Sequence, residues 1–157
     1  MAEKKYAATT TTPVGNTRNE IESLLTKHGA DDIAFGTIQG HVVVGFTHSS
    51  RQVRYVVALP DPGAADFART PTGLRRSANE AAKAHQQAVR SIWRSMALVI
   101  KAKFVAIDSG VSSFEAEWGW SIVLPNGRTV GSMVAPAIED SYSSGHVPPM
   151  LGIEPQR

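Results

Sequence analysis

The chain has 157 residues with 42% hydrophobic and 19% charged side chains, a length and balance expected of one packed domain rather than a disordered segment. Cysteine is absent, which excludes a disulfide scaffold, a thiolate zinc site and a cysteine nucleophile. No apolar run reaches the ~20 residues of a membrane span, and the Met-Ala-Glu-Lys-Lys start lacks the apolar stretch of a signal peptide. The expectation is a soluble intracellular chain with no membrane partner.

In chain order, residues 1–15 read as a flexible, Thr-rich N-terminal tail closed by Pro13 and Gly15. Thr17-Arg-Asn-Glu20 has the form of a capping box, followed by Ile21, Leu24, Leu25 and His28 at helical spacing and by Gly29 as a stop. Ile33–Ile38 and His41–Phe46, separated by Gln39-Gly40, predict a hairpin. Arg51–Leu59 alternates as a third strand, with Val53, Tyr55 and Val57 on one side and Gln52, Arg54 and Val56 on the other. Pro60 to Gly73 reads as a long loop.

Ser77-Ala-Asn-Glu80 is a second capping box, and neither Pro nor Gly follows until Gly110, which predicts a helix of about thirty residues. Counting 100° per residue, Ala78, Ala81, His85, Ala88, Val89, Ile92, Met96, Val99, Ile100 and Ile107 share one face, with Trp93 and Phe104 at its border. Ser112-Ser-Phe-Glu115 caps a turn or two. Trp118–Leu124 and Thr129–Val134 flank Pro125-Asn126-Gly127-Arg128 and predict a second hairpin. Pro136 opens a short final helix through Tyr142, and residues 146–157 form a Pro-rich tail.

The fold class expected is α+β. One antiparallel sheet, a three-stranded meander plus the Asn-Gly hairpin, packs against one long helix, with short N- and C-terminal helices and a single domain over 16–145.

Charge is the feature that bears on function. Between Arg69 and Lys103 there are eight basic residues against the single acid Glu80, while the remainder of the chain is net acidic. Setting Lys83 at zero, Arg76, Arg90, Arg94 and Lys101 fall within about 40° of arc, a ridge roughly 37 Å long opposite Ile92 and Val99. A one-sided ridge of this kind points to an anionic partner, and phosphate tracking along nucleic acid is the reading it favours. The candidate nucleic-acid-binding residues are Arg75, Arg76, Lys83, Arg90, Arg94 and Lys101, with Arg51 and Arg54 extending the surface.

Trp118, Trp120 and Tyr55 are expected in a core or interface rather than stacked on bases. The five histidines have no metal-ligand spacing, and His85 reads as a hydrogen-bonded core residue. Neither a phosphate loop nor a dinucleotide fingerprint occurs, and the acid pairs Asp31-Asp32, Glu115/Glu117 and Glu139-Asp140 single out no catalytic dyad. The expectation is a non-enzyme with no catalytic residue, metal or cofactor.

The segments Val99-Ile-Lys-Ala-Lys-Phe-Val-Ala-Ile, Ile122-Val-Leu-Pro-Asn-Gly-Arg-Thr-Val-Gly, Pro148-Pro149-Met150-Leu151 and Arg54-Tyr-Val-Val-Ala-Leu-Pro resemble a family of small tailed-bacteriophage proteins. The resemblance covers most of residues 17–151. It implies an accessory gene product acting in the host bacterial cytoplasm, among DNA-metabolism functions. A meander followed by a long helix is also similar in topology to the single-strand annealing proteins that form rings around a basic groove, which implies homo-oligomers and a single-strand preference. The partners expected are therefore nucleic acid, with DNA favoured, and further copies of the chain. The rival reading is an interaction or counter-defence module. There the basic ridge, the Pro60–Gly73 loop and the Pro-rich tail meet a host protein or a small phosphorylated signal.

Overall fold

The computed structural model describes residues 5–148. Helix α1 (Val14–Lys27) leads into strands β1 (Asp31–Ile38), β2 (His41–His48) and β3 (Arg51–Ala58). The short helix α2 (Ala65–Ala68) follows, then the long helix α3 (Ala78–Asp108), the one-turn helix α4 (Phe114–Trp118), a 3-10 turn at Gly119–Ser121 and helix α5 (Val130–Ser144). The class is α+β, as expected, with a three-stranded antiparallel sheet in the order β1-β2-β3.

Both hairpins turn on two residues with positive φ, Gln39 and Gly40 at 48° and 74° and Ser49 and Ser50 at 48° and 63°. That geometry matches the twist of the flanking strands. Register is set by alternation. Val42, Val44 and Phe46 of β2 and Val53 of β3 are buried on the inner face, whereas Gln52, Arg54 and Val56 are exposed on the outer one.

Helix α3 covers the inner face. Its start is the expected capping box: Ser77 Oγ accepts from the Glu80 backbone N–H at 3.3 Å, and the Ser77 N–H donates to Glu80 Oε2 at 2.8 Å. Gly110, at φ 72°, lets the chain leave past the C-terminus. Trp93, Met96, Ala97, Ile100 and Phe104 are the buried residues of α3. The docked face is therefore rotated by roughly a quarter-turn from the one that periodicity predicts. Trp93 and Phe104, expected at the border, lie near its centre, and Val99 is 39% exposed. Large aromatic rings bury more area than the small Ala and Val side chains that weighted the count, so they decide which way the helix faces.

The centre of the core is an aromatic cluster on Trp118, which is fully buried. Phe46 and Tyr55 meet its ring edge-on at 5.1 and 5.8 Å, and Phe104 is tilted at 5.7 Å. Burial pushes the Tyr55 phenol above its ordinary pKa.

Three local expectations are corrected. Helix α1 starts at Val14 with Pro13 as its N-cap, not at a Thr17 cap; Thr17 is buried, and Glu20 pairs with Arg94 instead of reaching back. The stretch before it runs against α3: Gln87 Nε2 donates to the carbonyls of Ala8 and Thr10 at 3.1 and 2.8 Å, and Ser91 Oγ donates to Tyr6 O at 2.8 Å.

The Asn-Gly turn forms, with Gly127 at φ 79° and the Leu124 N–H donating to Arg128 O at 2.8 Å. Its arms, however, are not strands. One supplies single bridges from Ile122 to Val53 and from Val123 to Thr129, and the other becomes α5. Finally, α5 begins at Val130, capped by Thr129 Oγ1, and runs through Pro136 rather than opening on it. Proline has no N–H for the carbonyl of Ser132, and Arg128 Nη2 donates to that carbonyl at 2.9 Å in its place. Of the expected Pro-rich tail, residues 149–157 lie outside the described residues.

Candidate nucleic-acid interface

Rotation of the docked face carries the ridge to the flank of α3, and its C-terminal half meets neighbouring elements. Arg94 donates to Glu20 of α1 in an ion pair and lies 3.5 Å from Thr17 Oγ1. The hydrogen bond to Glu20 holds the Arg94 guanidinium above its ordinary pKa. Lys103, on the other side of α3 from the ridge, sits 3.5 Å from the Glu117 carboxylate and 5.2 Å over the Trp118 ring. Glu117 is in turn held below the ordinary carboxylate range, first by a hydrogen bond with Ser112 and then by the Lys103 cation. Lys101 is exposed, in a cleft of about 310 Å³ lined by Glu20, Ser23, Leu24 and Lys27 of α1.

The N-terminal half is chemically different. Arg76 precedes the helix and turns its Nη1 onto the carbonyls of Asp66, Phe67 and Arg69, at 3.0, 3.4 and 2.8 Å. These are the free carbonyls at the end of α2, which has no helical donors left to offer them. Arg69 Nη1 donates to Gly73 O at 3.2 Å, and Arg69 and Arg75 form an isolated antiparallel bridge. Arg90 Nε donates to the side-chain carbonyl of Gln87 at 3.2 Å. Lys83 and Arg75 are exposed. Every hydrogen bond made by these side chains goes to a neutral oxygen, which orients the cation without cancelling its charge. The one acid on the helix here is Glu80, whose carboxyl is held below its ordinary range, first by the Ser77 backbone hydrogen bond.

The Pro60–Gly73 loop has a built interior. His85 Nε2 lies 2.9 Å from Pro60 O with its ring edge-on to Phe67 at 5.3 Å, and Thr70 N donates to Leu74 O at 2.8 Å. His85 makes the hydrogen bond expected of it, but it is only partly buried, beneath the loop rather than in the core.

The strand residues do not join this group. Arg54 is on the outer sheet face, away from α3, with Nη1 donating to Gly127 O at 3.1 Å. Arg51 is 3.5 Å from Glu115. Of the aromatic residues, Trp118 is buried, Tyr55 is half-buried and Trp120 is 55% exposed beside Gly131 of α5. Sequence reasoning left Arg69 outside the site and missed Gln87, which orients Arg90 and also holds the Ala8–Thr10 carbonyls. The basic composition of the loop marks Arg69, but no pattern marks a lone glutamine.

Among the described residues no group of three or more His, Asp or Glu side chains is placed to hold a metal ion, and no helix is long and apolar enough to cross a membrane. No protein-family model matches the chain, and neither curated proteins nor solved structures give a match.

Proposed function

We propose that the protein binds the phosphate backbone of nucleic acid, DNA in preference and single strands in particular, through Arg69, Arg75, Arg76, Lys83 and Arg90. This is an accessory, non-enzymatic role of the kind the phage resemblance implies. The observation that carries it is the distribution of ion pairs. Arg94 of the ridge, and Lys103 and Arg51 outside it, are matched to carboxylates, whereas the side chains of Arg69, Arg76 and Arg90 donate to carbonyl and amide oxygens and Arg75 and Lys83 are exposed, with Glu80 the one acid acting on Arg76 and Lys83. Contacts of this kind hold a polyanion in register without reading its bases.

Fluorescence anisotropy with single- and double-stranded oligonucleotides tests the reading. Three to five phosphate contacts give a slope of log K against log salt between about −2 and −4.5. Lys83→Glu with Arg90→Glu abolishes binding at ~50 mM salt, whereas Arg51→Glu changes it little. Absence of wild-type binding at that salt, or indifference to the double reversal, overturns it.

One observation favours a second reading. Leu74, between Arg69 and Arg75 at the tip of the loop, is 69% exposed, an apolar contact of the sort a protein partner uses. A host protein retained stoichiometrically after nuclease treatment, and lost with Leu74→Ser, supports that alternative.

A further inference from the structure

The N-terminal stretch that lies on α3 brings an aromatic ring to the end of the run of free cations. Residues 5–10 turn twice, the Ala8 N–H donating to Lys5 O at 3.2 Å and the Thr10 N–H to Ala7 O at 3.0 Å. Ala7 has φ 53°, a left-handed backbone that a residue with a Cβ disfavours. Side chains of α3 hold it there: Gln87 Nε2 donates to the Ala8 and Thr10 carbonyls, and Ser91 Oγ donates to the Tyr6 carbonyl. Strained backbone persists only where its surroundings over-determine it, and such places cluster at binding sites.

Gln87 faces both ways. Its side-chain nitrogen holds this stretch, while its oxygen accepts from Arg90 Nε at 3.2 Å. Ser91 follows Arg90 directly, so the Tyr6 backbone is tied to the residue next to that cation, and Lys83 lies about 10 Å before it along the helix axis. Beyond this point the ridge changes character, because Arg94 is paired with Glu20. Besides the hydrogen bond and charge of Glu20, the Tyr6 phenol also favours the charged form of Arg94, which places the ring toward that guanidinium. Tyr6 is 52% exposed, and the neighbouring Lys5 is exposed as well. Of the aromatic side chains exposed to that degree among the described residues, Trp120 lies beside Gly131 and Tyr142 belongs to α5; only Tyr6 is carried by a segment hydrogen-bonded to α3.

A nucleotide strand offers such a surface two kinds of group, phosphates and flat base faces. The cations suit the first and the phenol ring suits the second. Every base has a π-face, so a stacked ring adds affinity without reading sequence. In a duplex both faces of each base already lie against neighbours, and the ring finds a free face only on an unpaired strand. We infer that Tyr6 stacks on an unpaired base of the strand whose phosphates lie on Lys83 and Arg90, with the Gln87 side chain holding ring and cation in one frame. The inference rests on the phosphate-binding reading above and gives that site its substrate class, single strands with accessible bases.

Fluorescence anisotropy of the full chain with three labelled oligonucleotides of equal length tests the inference: an ordinary single strand, a single strand of abasic residues, and a duplex. The wild type binds the ordinary strand about five- to a hundredfold more tightly than the abasic one, the range of one base–aromatic stack. Y6A brings the ordinary strand down to the abasic level and leaves the abasic strand and the duplex within about twofold of wild type, since phosphate contacts carry those two. Y6F keeps the ring and with it the wild-type preference. The Tyr6 carbonyl, not its side chain, takes the hydrogen bond from Ser91, so Y6A keeps the wild-type melting curve. A wild type that binds the ordinary and abasic strands equally overturns the inference and leaves the phosphate reading standing. So does a Y6A variant that weakens both strands alike or neither. A wild type that binds none of the three overturns both.

Discussion

Replacing Phe104 by alanine and, separately, Val99 by alanine distinguishes two ways of laying α3 on the sheet. Periodicity puts Val99 on the buried face and Phe104 at its border. In the structure Phe104 is 2% exposed and stacked on His28 at 4.5 Å, while Val99 is 39% exposed. Truncating Phe104 empties a ring-sized space walled by Trp118, His28 and His48, groups that cannot collapse inward, and such a change costs about 3–5 kcal/mol. Burying a valine fully is worth ~1.5 kcal/mol or somewhat more. Val99 keeps two-fifths of its surface in water, and alanine gains roughly half a kcal/mol in helix propensity, so V99A stays within about 1 kcal/mol of wild type. At ~2–4 °C per kcal/mol for a chain of this size, F104A melts about 6–20 °C lower and V99A moves by less than about 4 °C. Urea denaturation followed by circular dichroism, with m-values compared, measures both. A V99A loss equal to that of F104A refutes the orientation, and with it the placement of Arg94 against Glu20.

Two further outcomes follow from local chemistry. Glu80 and Glu117 both have folded-state pKa values below the ordinary 4.5, so the stability they contribute is complete above that value and is lost as pH falls through their depressed values. Thermal melts taken from neutral to acid pH show wild type losing more below 4.5 than E80Q,E117Q; parallel curves would show that the two carboxylates contribute nothing. In α5, Pro136→Ala restores the missing backbone donor and raises stability by ~1–3 kcal/mol, since a proline within a helix costs about that much. R128A destabilises wild type but has little effect in the P136A background, because alanine then supplies Ser132 O; equal effects in both backgrounds would contradict the substitution of donors.

The meander and α3 were legible because their signals are local and agree with one another: strict alternation in β3, the Gln39-Gly40 turn, the Ser77 box and Gly110. The region from Trp118 to Val134 was not. Its Asn-Gly turn has the right chemistry, but Trp118 is held by the Ser113-capped turn and by the ring edges of Phe46 and Tyr55, partners distant in sequence. Tertiary packing overrides local strand preference in such a place. Pro136 misled for a related reason, since only a side chain eight residues upstream makes it tolerable. The candidate site was legible as composition and arc, because like charges at helical spacing are visible in the letters. Which cations remain unmatched was not, because Glu20 and Glu117 reach Arg94 and Lys103 only once α1 and α4 are docked.

The guanidinium of Arg76 closes the end of α2. Because that clamp freezes its long side chain before any ligand arrives, capture of an anion by its outer edge forfeits no torsional freedom there. An unrestrained lysine such as Lys83 gives up about 0.5–1.5 kcal/mol on being immobilised. The two positions carry the same unit charge, yet the arginine is the stiffer instrument, and substituting it with lysine loosens both the α2 terminus and the aim of the cation at once.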